Sequence, residues 1–181
     1  MSASIFQQIS ISILDDSHDV IDFDCGDEKR NSWLKIRAFS SDEQHDSRTY
    51  VAALGSAVVG YYALAVSSIV RGTLPGSMRR NAPDPVGGIL LAQLAVDLKQ
   101  QGHGLGRELV LHAMEQAVKV TEIAGSRLFM VHPATPELAA YYEKFGFASI
   151  DTAPASMAMT MRKVENTLTA LAAARLKSAP Q

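Results

Sequence analysis

The chain has 181 residues, 47% of them hydrophobic and 20% charged, which is enough apolar material for one well-buried domain and too little length for two ordinary ones. A net charge of −2 and an isoelectric point near 6.2 exclude a protein that coats nucleic acid by overall charge, so a polyanionic partner has to be met by a local basic patch. Cys25 is the only cysteine, so no intrachain disulfide can form; no Cys/His spacing resembles a zinc site, and no metal is expected.

The N-terminus has no basic region leading into an apolar core. The longest apolar run, around residues 57–66, is too short and too interrupted to span a bilayer, which points to a soluble, cytoplasmic protein with no membrane attachment. Residues 9–14 alternate apolar side chains with serine and predict a half-buried first strand. From residue 24 to 46 the pattern changes: Trp33, Leu34, Ile36, Ala38 and Phe39 recur at helical spacing among charges, and Gly26 or Asp27 can open one amphipathic helix. Residues 49–53 and 57–66, joined by Leu54-Gly55-Ser56, read as an antiparallel hairpin. Residues 71–87 carry Gly72, Pro75, Gly76, Arg79, Arg80, Pro83, Pro85 and Gly87, which predicts a long loop.

A nearly unbroken apolar run at 89–96 predicts a buried strand. A glycine-rich segment leads from it into a helix with Leu105, Leu109, Ala113, Ala117 and Val120 on its apolar face and Gly125 at its end. A short strand at 127–131 follows, then a helix at 135–145 begun by Thr135 with Pro136 in its first turn, then an alternating strand at 157–161. Met157, Met159 and Met161 share the period of one strand face and read as core. Residues 164–177 are alanine-rich and helical, with a disordered end at Pro180; such a helix can pack on a partner or on a second protomer of a homodimer.

The segment Gln101-Gly102-His103-Gly104-Leu105-Gly106 lies between a strand and a helix, where free backbone N–H groups and the helix dipole converge on one point. Glycines there can adopt positive φ and let the backbone approach an anion, so a pyrophosphate would be held; a tight turn with no ligand is the competing reading. The dinucleotide fingerprint fails because Arg107 stands where its third glycine belongs, and no P-loop Gly-Lys-Ser/Thr is present.

What the segment matches is Q/R-x-x-G-x-G/A, carried by Gln101, Gly104 and Gly106. With "LAQLAVD" before it and "AAYYEKFGF" at 139–147 after it, the chain resembles the Gcn5-related N-acetyltransferase (GNAT) superfamily. That resemblance implies a single GNAT-like α/β (α+β) domain over residues 1–163, built on a central mixed, mostly antiparallel twisted sheet flanked by helices, with 164–181 as a helical tail. It also implies an acetyl-CoA cosubstrate, held by Leu94, Ala95 and Val96 of the strand end and by Gln101, Gly102, His103, Gly104, Leu105, Gly106 and Arg107. Residues 23–147 carry a narrower resemblance, in "FDCG", "SRTYV", "RRNAPDP", "QGHGLGRELV" and "LFMVHP", to the acetyltransferase toxins of bacterial toxin–antitoxin modules. Those proteins acetylate the α-amine of aminoacyl-tRNA and are neutralised by a small ribbon-helix-helix antitoxin.

An amine acceptor has to attack as the neutral base, and the departing thiolate needs a proton. Tyr142, the second tyrosine of its pair, matches the family's general acid, whereas spacing alone allows both Tyr141 and Tyr142 to be packing aromatics. Gln93 stands where relatives outside the toxin branch use a nearby carboxylate and where the toxin branch usually reads arginine; an amide cannot accept a proton at neutral pH, which leaves water as the base. His132 at a strand end reads as a backbone-bonded histidine before a proton acceptor. Arg79 and Arg80 read alone as solvated charges, and the toxin resemblance makes them candidates for the tRNA acceptor stem, with Lys35, Arg37 and Arg71 behind them. Trp33 reads as core or acceptor-groove wall, and Cys25 as a buried small hydrophobe. The rival functions are acetylation of a small amine or peptide N-terminus, and a coenzyme- or partner-binding protein without turnover.

Overall fold

In the computed structural model of the chain, which describes residues 8–152 and 155–178, strand β1 (Ile9–Ile13) pairs antiparallel with β2 (Arg48–Leu54), and β2 pairs antiparallel with β3 (Ala57–Ile69). Ile9 lies opposite Leu54 and Ile13 opposite Tyr50, and the turn at Gly55 has φ +61°. The hairpin is the expected one, although β3 runs on to Ile69, beyond the apolar run that announced it.

Between β1 and β2 lie α1 (Glu28–Ser32), a π-helical turn (Trp33–Arg37) and α2 (Ala38–Glu43). Asp27 is the N-cap: its carboxylate accepts from the amides of Lys29 and Arg30 and pairs with the Arg30 guanidinium. A π turn inserts an extra residue into the helical repeat. Leu34 and Ala38 are consequently fully buried, whereas Ile36, expected on the same face, is 69% exposed.

The sheet has seven strands in the order β1-β2-β3-β4-β5-β7-β6, with β4 at Val86–Val96, β5 at Leu128–Val131, β6 at Ala148–Ile150 and β7 at Ser156–Thr160. It is open and mostly antiparallel, with flanking helices, which is the fold class expected. The loop before β4 is more ordered than its prolines suggest. It holds a 3-10 turn (Arg71–Thr73), the short α3 (Gly76–Arg79) and a cis Asp84–Pro85 bond, and β4 starts at Val86 rather than at residue 89. Helix α4 (Leu105–Ala124) ends at Gly125, with φ +67°, and α5 (Pro136–Glu143) is capped by Thr135. Strand β6 was not expected from the sequence. Met161 opens α6 (Met161–Ser178) instead of closing the last strand, yet it stays buried with Met157 and Met159.

The chain divides into two units, Met1–Ala65 with Leu91–Ala113, and Val66–Leu90 with Met114–Gln181; β3 and β4 contribute residues to both. The first unit has a core of Phe23, Leu34, Ala38, Val51, Val58 and Tyr61, in which Trp33 stacks on Tyr61 with centroids 5.7 Å apart. Trp33 thus packs against this core while staying partly exposed. The second unit is centred on Leu74, Met78, Val86, Leu128, Met130 and Ala158. Val164 of α6 is buried, and the end at Pro180 lies outside the described residues. Among the described residues no helix is long and apolar enough to cross a membrane.

Candidate active site

Strand β4 ends at Val96 with Ala95 and Val96 buried and Gln93 and Leu94 half-buried, and Asp97 turns the chain. The amides of Gln100 and Gln101 donate to the Asp97 carbonyl, and its carboxylate caps the 3-10 turn (Leu98–Gln100) by accepting from Lys99 N at 2.9 Å. Gly102 (φ +76°) and Gly104 (φ +95°) then take left-handed conformations that glycine adopts without steric cost, and α4 begins at Leu105. Among the described residues, the amides of Gly102, His103, Gly104, Leu105 and Gly106 have no acceptor, while those of Arg107 and Glu108 both return to the Gly104 carbonyl at 3.0 and 3.2 Å.

A Cβ on Gly102 or Gly104 would meet nothing within 4 Å, so the space beside both residues is open. Unpartnered donors, left-handed glycines and a helix N-terminus in one place fit a pyrophosphate group. Beside them opens a cavity of about 470 Å³ lined by Ile9, Ile11, His103, Gly104, Leu105, Arg107 and Glu108. The Arg107 guanidinium lies 2.9 Å from Glu108, which takes up part of its charge.

Two features hold the cradle in place. The first is close helix packing: a Cβ on Gly60 of β3 would lie 3.0 Å from Leu109 Cδ1 and 3.2 Å from Leu105 Cδ2, so glycine lets the first two turns of α4 pack on the strand without displacing those leucines. The second is a polar brace that the sequence reading missed. The Asp97 carboxylate accepts from Asp24 N at 3.1 Å, and Leu98 N donates to the Asp24 carbonyl at 2.8 Å. The Asp24 carboxylate accepts from Gly26 N and from the amide of buried Asn31, whose own oxygen accepts from Cys25 N at 2.9 Å. Gln101 belongs to this brace: its side-chain amide donates to the carbonyls of Val96, at 2.9 Å, and Cys25, at 3.1 Å. A sequence signal existed in Asp24 two residues before Gly26, the pattern of a side chain closing its own turn.

The brace has a pH dependence of definite sign. The Gly26 N–H, and after it the Asn31 amide, hold the Asp24 carboxyl below its ordinary value. A carboxyl depressed by folding contributes stability that is complete above the unfolded value, about 3.9, and is lost as pH falls through the lowered value. Asp24→Asn is therefore expected to melt below the wild type at pH 7, with the difference shrinking as the pH falls below about 3.9 through the lowered value. Thermal unfolding across that range checks this, and a pH-independent difference contradicts it.

The remaining sequence candidates lie elsewhere in the fold. Tyr142 on α5 is 5% exposed, its ring edge-on to Tyr141 and Phe147 with both centroids 5.6 Å away, and Tyr141 also meets Phe145. His132, after β5, has its Nδ1 2.8 Å from Ser156 Oγ, a side-chain partner in place of the backbone one expected. Arg79 and Arg80 at the end of α3 are exposed, and among the described residues neither guanidinium has a hydrogen-bond or ion-pair partner. Arg71 acts differently: its guanidinium donates to the Ala82 carbonyl and its amide to the Asp84 carboxylate, closing the loop on itself. Lys35 and Arg37 are exposed on the π turn. Cys25 is half-buried, and burial pushes its thiol up, away from a reactive thiolate. The structure thus brings the β4 end, the glycine segment and the Asp24 turn together in the first unit, while Tyr142, His132, Arg79 and Arg80 belong to the second. Among the described residues no group of three or more His, Cys, Asp or Glu side chains could hold a metal ion.

Comparison with known proteins agrees with this geometry. Residues 45–149 match the model of the acetyltransferase (GNAT) domain. A tRNA-acetylating toxin of Mycobacterium tuberculosis is 38% identical over 149 residues, covering 82% of this chain and 90% of that one. Among solved structures, a tyrosine-to-phenylalanine mutant of KacT superposes with a TM-score of 0.82 at 26% identity, over 88% of this chain and 99% of that chain. AtaT complexed with acetyl-methionyl-tRNAfMet gives a TM-score of 0.81 at 26% identity, over 87% and 98%.

Proposed function

Because the chain belongs to the GNAT acetyltransferase family, and is thus an acetyl-CoA-dependent enzyme, we propose that its acceptor is the α-amine of aminoacyl-tRNA and that it acts as a translation-blocking toxin. The observation that carries this reading is the cradle of unpartnered amides at Gly102–Gly106, in a chain whose likeness to a tRNA-acetylating toxin runs through four-fifths of its length. The resemblance to the toxin branch further supports a small ribbon-helix-helix antitoxin as partner, with the alanine-rich α6 as a surface for it or for a second protomer, and the cytoplasm as the place of action.

Bound acetyl-CoA supplies the acetyl group as an activated thioester. The amides of Gly102 to Gly106 would hold the pyrophosphate, Leu94, Ala95 and Val96 would offer backbone groups to the pantetheine, and Gln101 fixes the loop against the strand end. The Tyr142 hydroxyl donates a proton to the departing thiolate, and the proton of the acceptor ammonium leaves to water, since Gln93 cannot take it. Arg79 and Arg80 meet phosphates of the acceptor stem with guanidiniums that no group among the described residues engages.

Expression in growing cells tests the reading: the wild type arrests translation and Tyr142→Phe does not. A wild type that leaves translation untouched assigns the acceptor to a small amine or a peptide N-terminus, the alternative favoured by Gln93 and by the slightly acidic net charge. Binding of charged tRNA at several salt concentrations tests the arginines separately. Arg79→Ala and Arg80→Ala are each expected to lower the slope of log affinity against log salt by about 0.7–0.9, the value of one phosphate contact. An unchanged slope removes them from the RNA surface.

A further inference from the structure

Arg127, at the entry to β5, has no part in the reading above, yet its side chain is committed to one place. Its Nη2 donates to the carbonyl of Arg80 at 2.6 Å and its Nη1 to the carbonyl of Asn81 at 3.3 Å. Its own backbone is fixed on both sides, the amide donating to Gly87 O at 3.1 Å and the carbonyl accepting from Met161 N at 2.9 Å. The guanidinium is therefore a fork mounted on the sheet, gripping two consecutive carbonyls of the loop that carries Arg79 and Arg80.

That loop needs the grip. Its inward face is anchored at Leu74, Met78 and Ala82, all buried in the core of the second unit. The four-residue spacing of those anchors leaves Arg79 and Arg80 just beyond Met78, on the exposed side. Asn81 has φ +54°, the left-handed conformation that asparagine tolerates better than most other side chains, so the chain turns sharply at the point that Arg127 grips. Arg71 ties the far end of the loop to Ala82 and Asp84, and Arg127 alone among the described residues ties the stretch Arg80–Asn81 to the sheet.

We propose that Arg127 is a positioning residue for the acceptor: it pre-forms the arginine loop through the carbonyls of Arg80 and Asn81, so that Arg79 and Arg80 meet phosphate without first paying the entropy of ordering the chain, and it makes no phosphate contact itself. This rests on the proposed tRNA acceptor. A fork already engaged with two carbonyls differs from a free guanidinium in what its loss does. Removing a free phosphate-binding arginine weakens binding and flattens its salt dependence, whereas removing a fork that orders others weakens binding at an unchanged salt slope.

The test compares Arg127→Ala with wild type and with Arg79→Ala, using acetyl-CoA binding to confirm that each variant is folded. In Arg127→Ala the KM for charged tRNA is expected to rise about tenfold, the size of a lost charge-assisted hydrogen bond, with kcat changed less than twofold and the salt slope as in wild type. Without any RNA, limited trypsin digestion after Arg79 and Arg80 is expected to run several-fold faster in Arg127→Ala. A salt slope that falls as in Arg79→Ala makes Arg127 a phosphate ligand and overturns the proposal, as does wild-type trypsin resistance. If Arg79→Ala and Arg80→Ala leave the KM for charged tRNA unchanged, the two arginines are not the acceptor surface and the positioning role for Arg127 falls with them, while the tRNA acceptor is still decided by translation arrest. Should Arg127→Ala not fold, Arg127→Gln, which keeps an N–H donor and discards the charge, takes its place in each measurement.

Discussion

Tyr142→Phe is expected to lower kcat by about 10²- to 10⁴-fold, the contribution of a positioned proton donor, while the affinity for acetyl-CoA stays within about twofold of wild type. The substitution removes one oxygen and keeps the ring that packs edge-on against Tyr141 and Phe147, so the core around α5 is preserved and stability changes by no more than about 1 kcal/mol. Tyr141→Phe is the control. It alters the neighbouring half-buried ring in the same way and is expected to leave kcat within about twofold, because the motif places the acid at the second tyrosine. Single-turnover acetyl transfer with both variants measures the difference, and equal losses in the two would return both tyrosines to a packing role.

The second large effect belongs to the cradle. Gly104→Val is expected to weaken acetyl-CoA binding by about 10- to 100-fold, as a β-branched residue at φ +95° costs of order 1–3 kcal/mol in backbone strain and redirects the amides that converge on the phosphates. The strain is conformational and owes nothing to crowding, since a Cβ there meets no atom within 4 Å. Gly72, which has equal space and no positive φ, separates the two causes: Gly72→Val is expected to bind acetyl-CoA as wild type does. Calorimetric titration of both variants reads the result directly.

Features set by local chemistry were legible from the residues. Asp27, one of the two residues able to open the first helix, caps it, Thr135 caps α5 as expected, Gly125 ends α4, and the glycines at 102 and 104 take the left-handed conformations that an anion cradle needs. What escaped depends on contacts distant in sequence. The brace joins Asp24 to Asp97 across 73 positions, and the fork joins Arg127 to Arg80 across 47; no local pattern announces either pairing. Gln101 shows the same limit within a motif, because the motif names the position but only the fold reveals that its amide faces the Val96 and Cys25 carbonyls.

Periodicity failed where the backbone changed its own period. The π turn at Trp33–Arg37 rotates Ile36 into solvent, and a reading at 3.6 residues per turn cannot anticipate that. Strand β6 is only three residues long, too short for alternation to register, and Met161 continued the apolar alternation of β7 although the chain had already turned into α6. The prolines and glycines of residues 71–87 correctly excluded a long helix or strand. They could not show that Leu74, Met78 and Ala82 anchor that segment in the core.

The reaction proposed for this GNAT enzyme is acetylation of the α-amine of an amino acid esterified to tRNA. The most direct measurement incubates the purified protein with acetyl-CoA and a mixture of charged tRNAs, releases the amino acids by mild base, and weighs them by mass spectrometry beside free amines treated in parallel. N-acetylated amino acids are expected from the tRNA fraction, forming at least about a hundredfold more slowly with Tyr142→Phe, and no comparable product from the free amines. Acetylation of the free amines with the tRNA-borne amino acids left unmodified would contradict it.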